Sequence, residues 1–166
     1  MRRPIAFSGF TLIELLVTLS VLAICATIAV PSFTQFIRNN QVQSASDELY
    51  GLLLYARSEA ASRGASVSIT APSADSWNGD VLVGTVDQVL RKLGSAGLNK
   101  GDVLATGSDV SFRFQANGML ATSESGCISV CYAGADDIQC RYIALQASGR
   151  ILPPKTSKPA SQECGA

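Results

Sequence analysis

Histidine is missing from all 166 residues, so the side chain most used as a general base near neutral pH, and the commonest metal ligand, is unavailable. No glycine-rich phosphate loop takes its place. Adjacent polar pairs such as Ser58-Glu59 and Asp136-Asp137 do not make a catalytic set, because neighbouring positions on a helix do not face one another and paired aspartates suit a turn. Two kinds of chemistry are left. One is thiol chemistry: Cys127, Cys131, Cys140 and Cys164 lie in the last 40 residues, while Cys25 falls inside an apolar run and reads as a small hydrophobe. A C-x-x-x-C spacing is the whole case for a metal, so the four read as disulfides in an oxidising compartment, with three pairings open. The other is electrostatic. Glu14 is the single charge in FTLIELLVTLSVLAICATIAV, Phe10 to Val30. An acidic side chain at the centre of a membrane helix costs roughly 2.5–3.5 kcal/mol on insertion scales, and a purely structural span would place Leu or Val there. The chain therefore reads as a structural subunit and not an enzyme, with no catalytic residues, no metal and no cofactor.

The elements that must position these residues follow from periodicity. The 21-residue apolar run is long enough to cross about 30 Å of hydrocarbon as a helix, and it exceeds the apolar core of a secretory signal peptide. Arg2 and Arg3 precede it, which places the amino terminus on the cytoplasmic side and the remainder outside. Helical signals continue beyond Pro31. Val42, Ala45, Leu49, Leu53, Ala56 and Ala60 recur at three- and four-residue intervals as one apolar stripe, and Gly64 is a natural cap. One helix from about Phe10 to Arg63, near 80 Å long at ~1.5 Å per residue, is expected, bent at Pro31, which lacks a backbone donor. Gly51 marks either close packing or a tolerated surface position.

After Gly64 the period switches to two. Ala65–Thr70, Asp80–Val86, Gln88–Leu93, Val103–Ala105, Val110–Gln115, Cys127–Tyr132 and Ile138–Gln146 read as strands separated by Gly, Asn and Ser. The fold class is α+β, with the amphipathic half of the helix packed on an antiparallel sheet. Four segments result: 1–9, 10–30, 31–64 and 65–166. Cys131 and Cys140 flank YAGADDIQ, a hairpin turning at Gly134–Asp137. Opposed strand positions can be bridged, which favours Cys131–Cys140 and leaves Cys127 to hold the tail through Cys164.

The junction Gly9-Phe10-Thr11-Leu12-Ile13-Glu14 after a short basic leader resembles the class III signal of type IV pilins and type II secretion pseudopilins. Ser76-Trp77-Asn78-Gly79-Asp80 before a strand, Phe114-Gln115-Ala116-Asn117-Gly118, Leu145-Gln146-Ala147-Ser148-Gly149-Arg150 and Tyr55-Ala56-Arg57-Ser58-Glu59-Ala60 are together similar to the GspH/FimT/FimU group of minor pilins, nearest to the FimU-like members. The resemblance covers essentially the whole chain. It implies the pilin fold, cleavage by prepilin peptidase between Gly9 and Phe10, N-methylation of Phe10, and pairing of Glu14 with the amino terminus of a neighbouring subunit. The implied partners are other minor and major pilins, with residence in the inner membrane, a periplasmic carboxyl-terminal domain, and then the pilus. The implied function is priming of type IV pilus assembly with incorporation in the tip complex. A GspH-like pseudopilin of type II secretion is the first alternative.

A FimT-like receptor for DNA is the second alternative, with Arg150, Lys155 and Lys158 as its contacts. Two features argue against a nucleic-acid partner. Loss of Arg2 and Arg3 with the leader turns 13 basic and 13 acidic side chains into 11 against 13, which is no chain-wide basic footprint. The Gly-Arg-x-Arg pattern of DNA-binding members also lacks its second arginine here, since Gly149-Arg150 is followed by Ile151-Leu152.

Overall fold

The computed structural model describes residues 10–94, 98, 102–122, 125–133 and 140–159. The chain divides into two units, Met1–Ile37 and Arg38–Ala166. Helix α1, Leu12–Arg63, belongs to both and runs on through Pro31. In the first unit every residue from Phe10 to Ile37 is exposed. The described residues hold one helix long and apolar enough to cross a membrane.

In the second unit α1 becomes one-sided. Val42, Ala45, Leu49, Leu53, Ala56 and Ala60 are all buried, with Ser46 and Leu52 beside them, so the stripe read from the sequence is the face that packs. The helix stops at Gly64, whose φ of 61° turns the chain. The amide of Ala65 then reaches back to the Ala60 carbonyl at 3.3 Å, the 6→1 bond of a Schellman cap. Gly51 proves to be the tolerated surface position: it is exposed, and a Cβ built there would meet nothing within 4 Å. Gly51→Ala is therefore expected to stabilise this unit by about 0.8–1 kcal/mol, the helix-propensity difference, read as a raised urea midpoint.

The described residues contain seven strands: β1 (Val67–Thr70), β2 (Val81–Gly84), β3 (Val89–Leu93), β4 (Val103–Gly107), β5 (Ser111–Phe114), β6 (Gly126–Tyr132) and β7 (Arg141–Leu145). Each lies where period-two alternation placed it. They form two antiparallel sheets and not one, in the orders β3-β2-β1-β5 and β4-β6-β7. Alternation reveals a strand but not its partner, so the split was not readable locally. Side chains from both sheets join the helix stripe in one core: Val67, Ile69, Val81, Val83, Phe112 and Phe114 from the first, Ala105, Ile128, Val130, Ile143 and Leu145 from the second. Trp77, fully buried, stacks on Phe112 at 5.3 Å between centroids and donates its indole N–H to the Asp109 carbonyl at 2.9 Å. That satisfies the polar end of a large apolar side chain.

β6 and β7 are buried on both faces. Cys127, Cys140 and Tyr142 make a second small cluster, with Cys131 against it. Cys131 and Cys140 are joined by a disulfide. The register puts Val130 opposite Arg141 and Ser129 opposite Tyr142, so the next pair out is Cys131 and Cys140 themselves. The proposed turn at 134–137 lies outside the described residues. Most strand edges are covered. Beside β7 the chain returns with mutual amide–carbonyl bonds between Tyr142 and Lys155 (2.8 and 3.1 Å) and from Leu152 to Ala144 (2.8 Å). Beside β4, Trp77 donates to Ala105 and Gly107 to Ala74. The β3 edge is short and bulged and carries Arg91 and Lys92, devices that discourage pairing with another chain.

Candidate assembly site

Glu14 sits in the first turn of α1, and its surroundings are defined by Thr11. The Thr11 Oγ1 accepts the Glu14 amide at 3.2 Å. In return the Glu14 carboxylate accepts the Thr11 amide at 3.1 Å and the Thr11 hydroxyl at 2.9 Å, both on Oε2. This is a reciprocal capping box, T-x-x-E, which satisfies amides that a helix start otherwise leaves without partners. The spacing Thr11-Leu12-Ile13-Glu14 is a legible signal for it that the sequence reading passed over. Glu14 thus has a structural task within its own chain, and any role in assembly must be separated from it.

The rest of the first unit suits an apolar medium. Phe10, Leu12, Ile13, Leu15, Leu16, Val17, Leu19, Val21, Leu22, Ile24 and Ile28 are exposed, so apolar side chains point in every direction around the helix. A helix of that kind is stable only when lipid or other protein surrounds it. Four of its hydroxyls bond back onto the helix. Thr18 donates to the Leu15 carbonyl, Ser20 to Leu16, Thr27 to Ile24 and Thr34 to Pro31, all at 2.7–2.9 Å. In a medium without water such back-bonding removes a cost of several kcal/mol per group. Glu14 is left as the single charged side chain from Phe10 to Ile37.

The other residues singled out from the sequence are scattered. Gly9 and Cys164 lie outside the described residues, while Phe10 is 86% exposed. Cys127 is buried and disulfide-bonded. Cys25 is a free, exposed thiol within the apolar stretch. Arg150, Lys155 and Lys158 are exposed, and no described contact joins them. Ile151, next after Arg150, is buried.

Sequence reading also missed a joint between the helix and both sheets. Gln115-Ala116-Asn117-Gly118 and Gln146-Ala147-Ser148-Gly149 form matching turns. In each the glycine amide donates to the glutamine carbonyl at 2.8 Å, and φ at Gly118 and Gly149 is 77° and 80°. The turns pack on one another, with the Leu120 amide donating to the Ala147 carbonyl at 3.2 Å. A Cβ on Gly149 would run into the Gly118 carbonyl. Arg57 of α1 closes the joint by donating from Nε to that carbonyl at 3.1 Å.

The model of the family described as type II transport protein GspH matches residues 45–149, and the prokaryotic N-terminal methylation motif matches residues 6–30. Two crystal structures of the type IV minor pilin FimU of Pseudomonas aeruginosa (strain PAO1) are similar to this chain. The one in space group P21 is 30% identical, covers 76% of this chain and 98% of its own, and superposes with a TM-score of 0.66. The one in space group P65 is 31% identical, covers 72% and 98%, and gives a TM-score of 0.60. No curated protein matches the chain.

Proposed function

This chain belongs to the GspH family, and from that membership we propose that it is a minor pilin that helps prime a type IV pilus and is carried in it, within the complex of minor pilins at the tip. The similarity to the minor pilin FimU, over nearly the full length of that chain, is the observation that carries this reading. The methylation motif at residues 6–30 and an apolar helix with no cover of its own support it. Residues 1–9 serve as a leader that prepilin peptidase removes between Gly9 and Phe10, and Phe10 is then N-methylated. Residues 10–30 hold the subunit in the inner membrane and later in the filament core. Residues 31–64 form the amphipathic half of the helix, and residues 65–166 form the periplasmic domain with a Cys127–Cys164 tie as its second disulfide.

The driving physics is electrostatic selection in a dry medium. A carboxylate in lipid has poor solvation, and a neighbour's methylated ammonium has the same problem. Bringing them together offsets much of both penalties, because opposite charges attract far more strongly at low dielectric than in water. The net gain is small beside the cost of breaking such a pair, about 3–5 kcal/mol, so Glu14 supplies register more than adhesion. Extraction from the membrane draws on the assembly motor, since the chain has no energy source.

A second reading, a pseudopilin of type II secretion, is favoured by the description of the matching family. A deletion strain scored for surface pili and for exoprotein secretion separates the two. Pili are expected to be lost or sharply reduced with secretion intact; lost secretion with normal pili would transfer the protein to the secretion system. The DNA-receptor reading has less support: Arg150, Lys155 and Lys158 are exposed, but Gly149-Arg150 is followed by Ile151-Leu152, and the second arginine of the DNA-binding pattern is missing.

A further inference from the structure

The described part of the first unit, Phe10–Ile37, is 28 residues without a basic side chain, and Arg38, the first cation after Arg3, opens the second unit. As a helix, that many residues rise about 42 Å at ~1.5 Å each, which matches the roughly 40–45 Å of a bilayer with its headgroups. If this stretch is the membrane stem, with the mature amino terminus among the inner headgroups, Arg38 falls among the outer ones. Its Cζ lies 5.1 Å from the centre of the Tyr132 ring. Such a cation–π contact uses the charge and leaves the N–H groups to other partners; among the described residues no oxygen accepts from them. The aromatic platform is fixed. Tyr132 ends β6 opposite Val103, its hydroxyl donates to the Asp102 carboxylate at 3.0 Å, and the next amide, that of Ala133, donates to the Asp102 carbonyl at 2.6 Å. Arg141 brings a second positive charge, donating to Oε1 of Gln43 on α1 at 3.3 Å. Two guanidinium groups beside the Asp102 carboxylate leave this group of described side chains net positive. A guanidinium fork matches the geometry of a phosphate, and basic side chains beside a bilayer attract anionic headgroups. We propose that Arg38, backed by Tyr132, binds the phosphate of an anionic phospholipid in the outer leaflet and so tethers the second unit to the bilayer surface before assembly. This rests on the membrane-stem reading given above.

The test uses the full-length chain reconstituted into vesicles of phosphatidylcholine, alone or mixed with phosphatidylglycerol. Phenylglyoxal, an uncharged reagent for guanidinium groups, reports access to Arg38, with the extent of modification read by peptide mass spectrometry. Arg113, exposed on β5, is the control. Phosphatidylglycerol is expected to slow modification of Arg38 about fivefold, the weight of one basic side chain at an anionic surface, and to leave Arg113 unchanged. Tyr132→Leu removes the ring and is expected to bring the rate back to within about twofold of its value in phosphatidylcholine. Tyr132→Phe keeps the ring and is expected to retain the protection. Equal reactivity of Arg38 in both vesicles would overturn the proposal. So would equal protection of Arg113, which would mean a general effect of the charged surface, or full protection in Tyr132→Leu, which would take the ring out of the site. Protection seen only in sheared filaments would also overturn it, because the guanidinium would then serve an acidic group of a neighbouring subunit. Washing the vesicles with alkaline carbonate keeps two failures apart. Protein stripped off by the wash would sink the membrane-stem reading itself; protein that stays, with Arg38 equally reactive in both lipids, would sink the lipid site alone.

Discussion

Gly149→Ala is expected to destabilise the second unit by about 3 kcal/mol or more, among the largest effects available to a single methyl group in this protein. Two penalties combine. Alanine at φ 80° pays about 1–2 kcal/mol for the left-handed conformation, and its Cβ would also collide with the backbone carbonyl of Gly118. The obstacle is backbone, a carbonyl that also accepts from Arg57, so it cannot swing aside as a side chain tip would. Relief requires the two turns to separate, and the Leu120–Ala147 bond would go with them. Gly118→Ala is the internal control. Its φ is similar, but the nearest atom is Arg57 Nε at 3.3 Å, the flexible end of a side chain, so about 1–2 kcal/mol is expected. Thermal melts should show Gly149→Ala lowered by roughly 10 °C or more, with Gly118→Ala between it and wild type. Equal and small shifts would mean that the turns do not bear on one another.

Glu14→Gln is expected to lower incorporation into filaments by about a hundredfold, the equivalent of roughly 3 kcal/mol for removing one partner of a desolvated ion pair. Glutamine is the informative replacement. It can close a capping box as glutamate does, so the start of α1 is preserved and only the charge is lost. Under the proposed pairing, the ammonium of the neighbour is then stranded in apolar surroundings, while the variant itself is more comfortable in lipid than before. Both changes push the subunit toward the membrane. Immunoblots of sheared filaments against membrane fractions should show it matured, membrane-bound and missing from fibres. Circular dichroism of the detergent-solubilised protein should be unchanged. Normal incorporation would leave Glu14 with its cap alone.

The parts of this molecule that were legible in advance are those governed by local period. Val42 to Ala60 announced a buried face because helical spacing alone decides which side chains align. VSIT, VLVG and SFRF announced strands because alternation does. The Cys131–Cys140 pair was legible for the same reason, as opposed positions of a hairpin. Long-range consequences were not visible. Nothing in Gln115–Gly118 or Gln146–Gly149 taken singly says that two turns some 30 residues apart will touch, or that Arg57 will lock them. The near-continuous apolar runs of β6 and β7 did carry a signal for burial on both faces, which the cysteine cluster explains. At the assembly site the charge of Glu14 is the conspicuous signal and masks a second one: Thr11, three residues earlier, gives it a conventional structural partner.

Under the proposed function, the stem and Glu14 acquire their roles only once the first nine residues are gone, so the fate of the amino terminus is decisive. Intact-mass and terminal-peptide mass spectrometry of the protein from piliated cells is the direct measurement. The predicted product begins at Phe10 with a methyl group on its amine. Filament-borne protein that still begins at Met1 would contradict it.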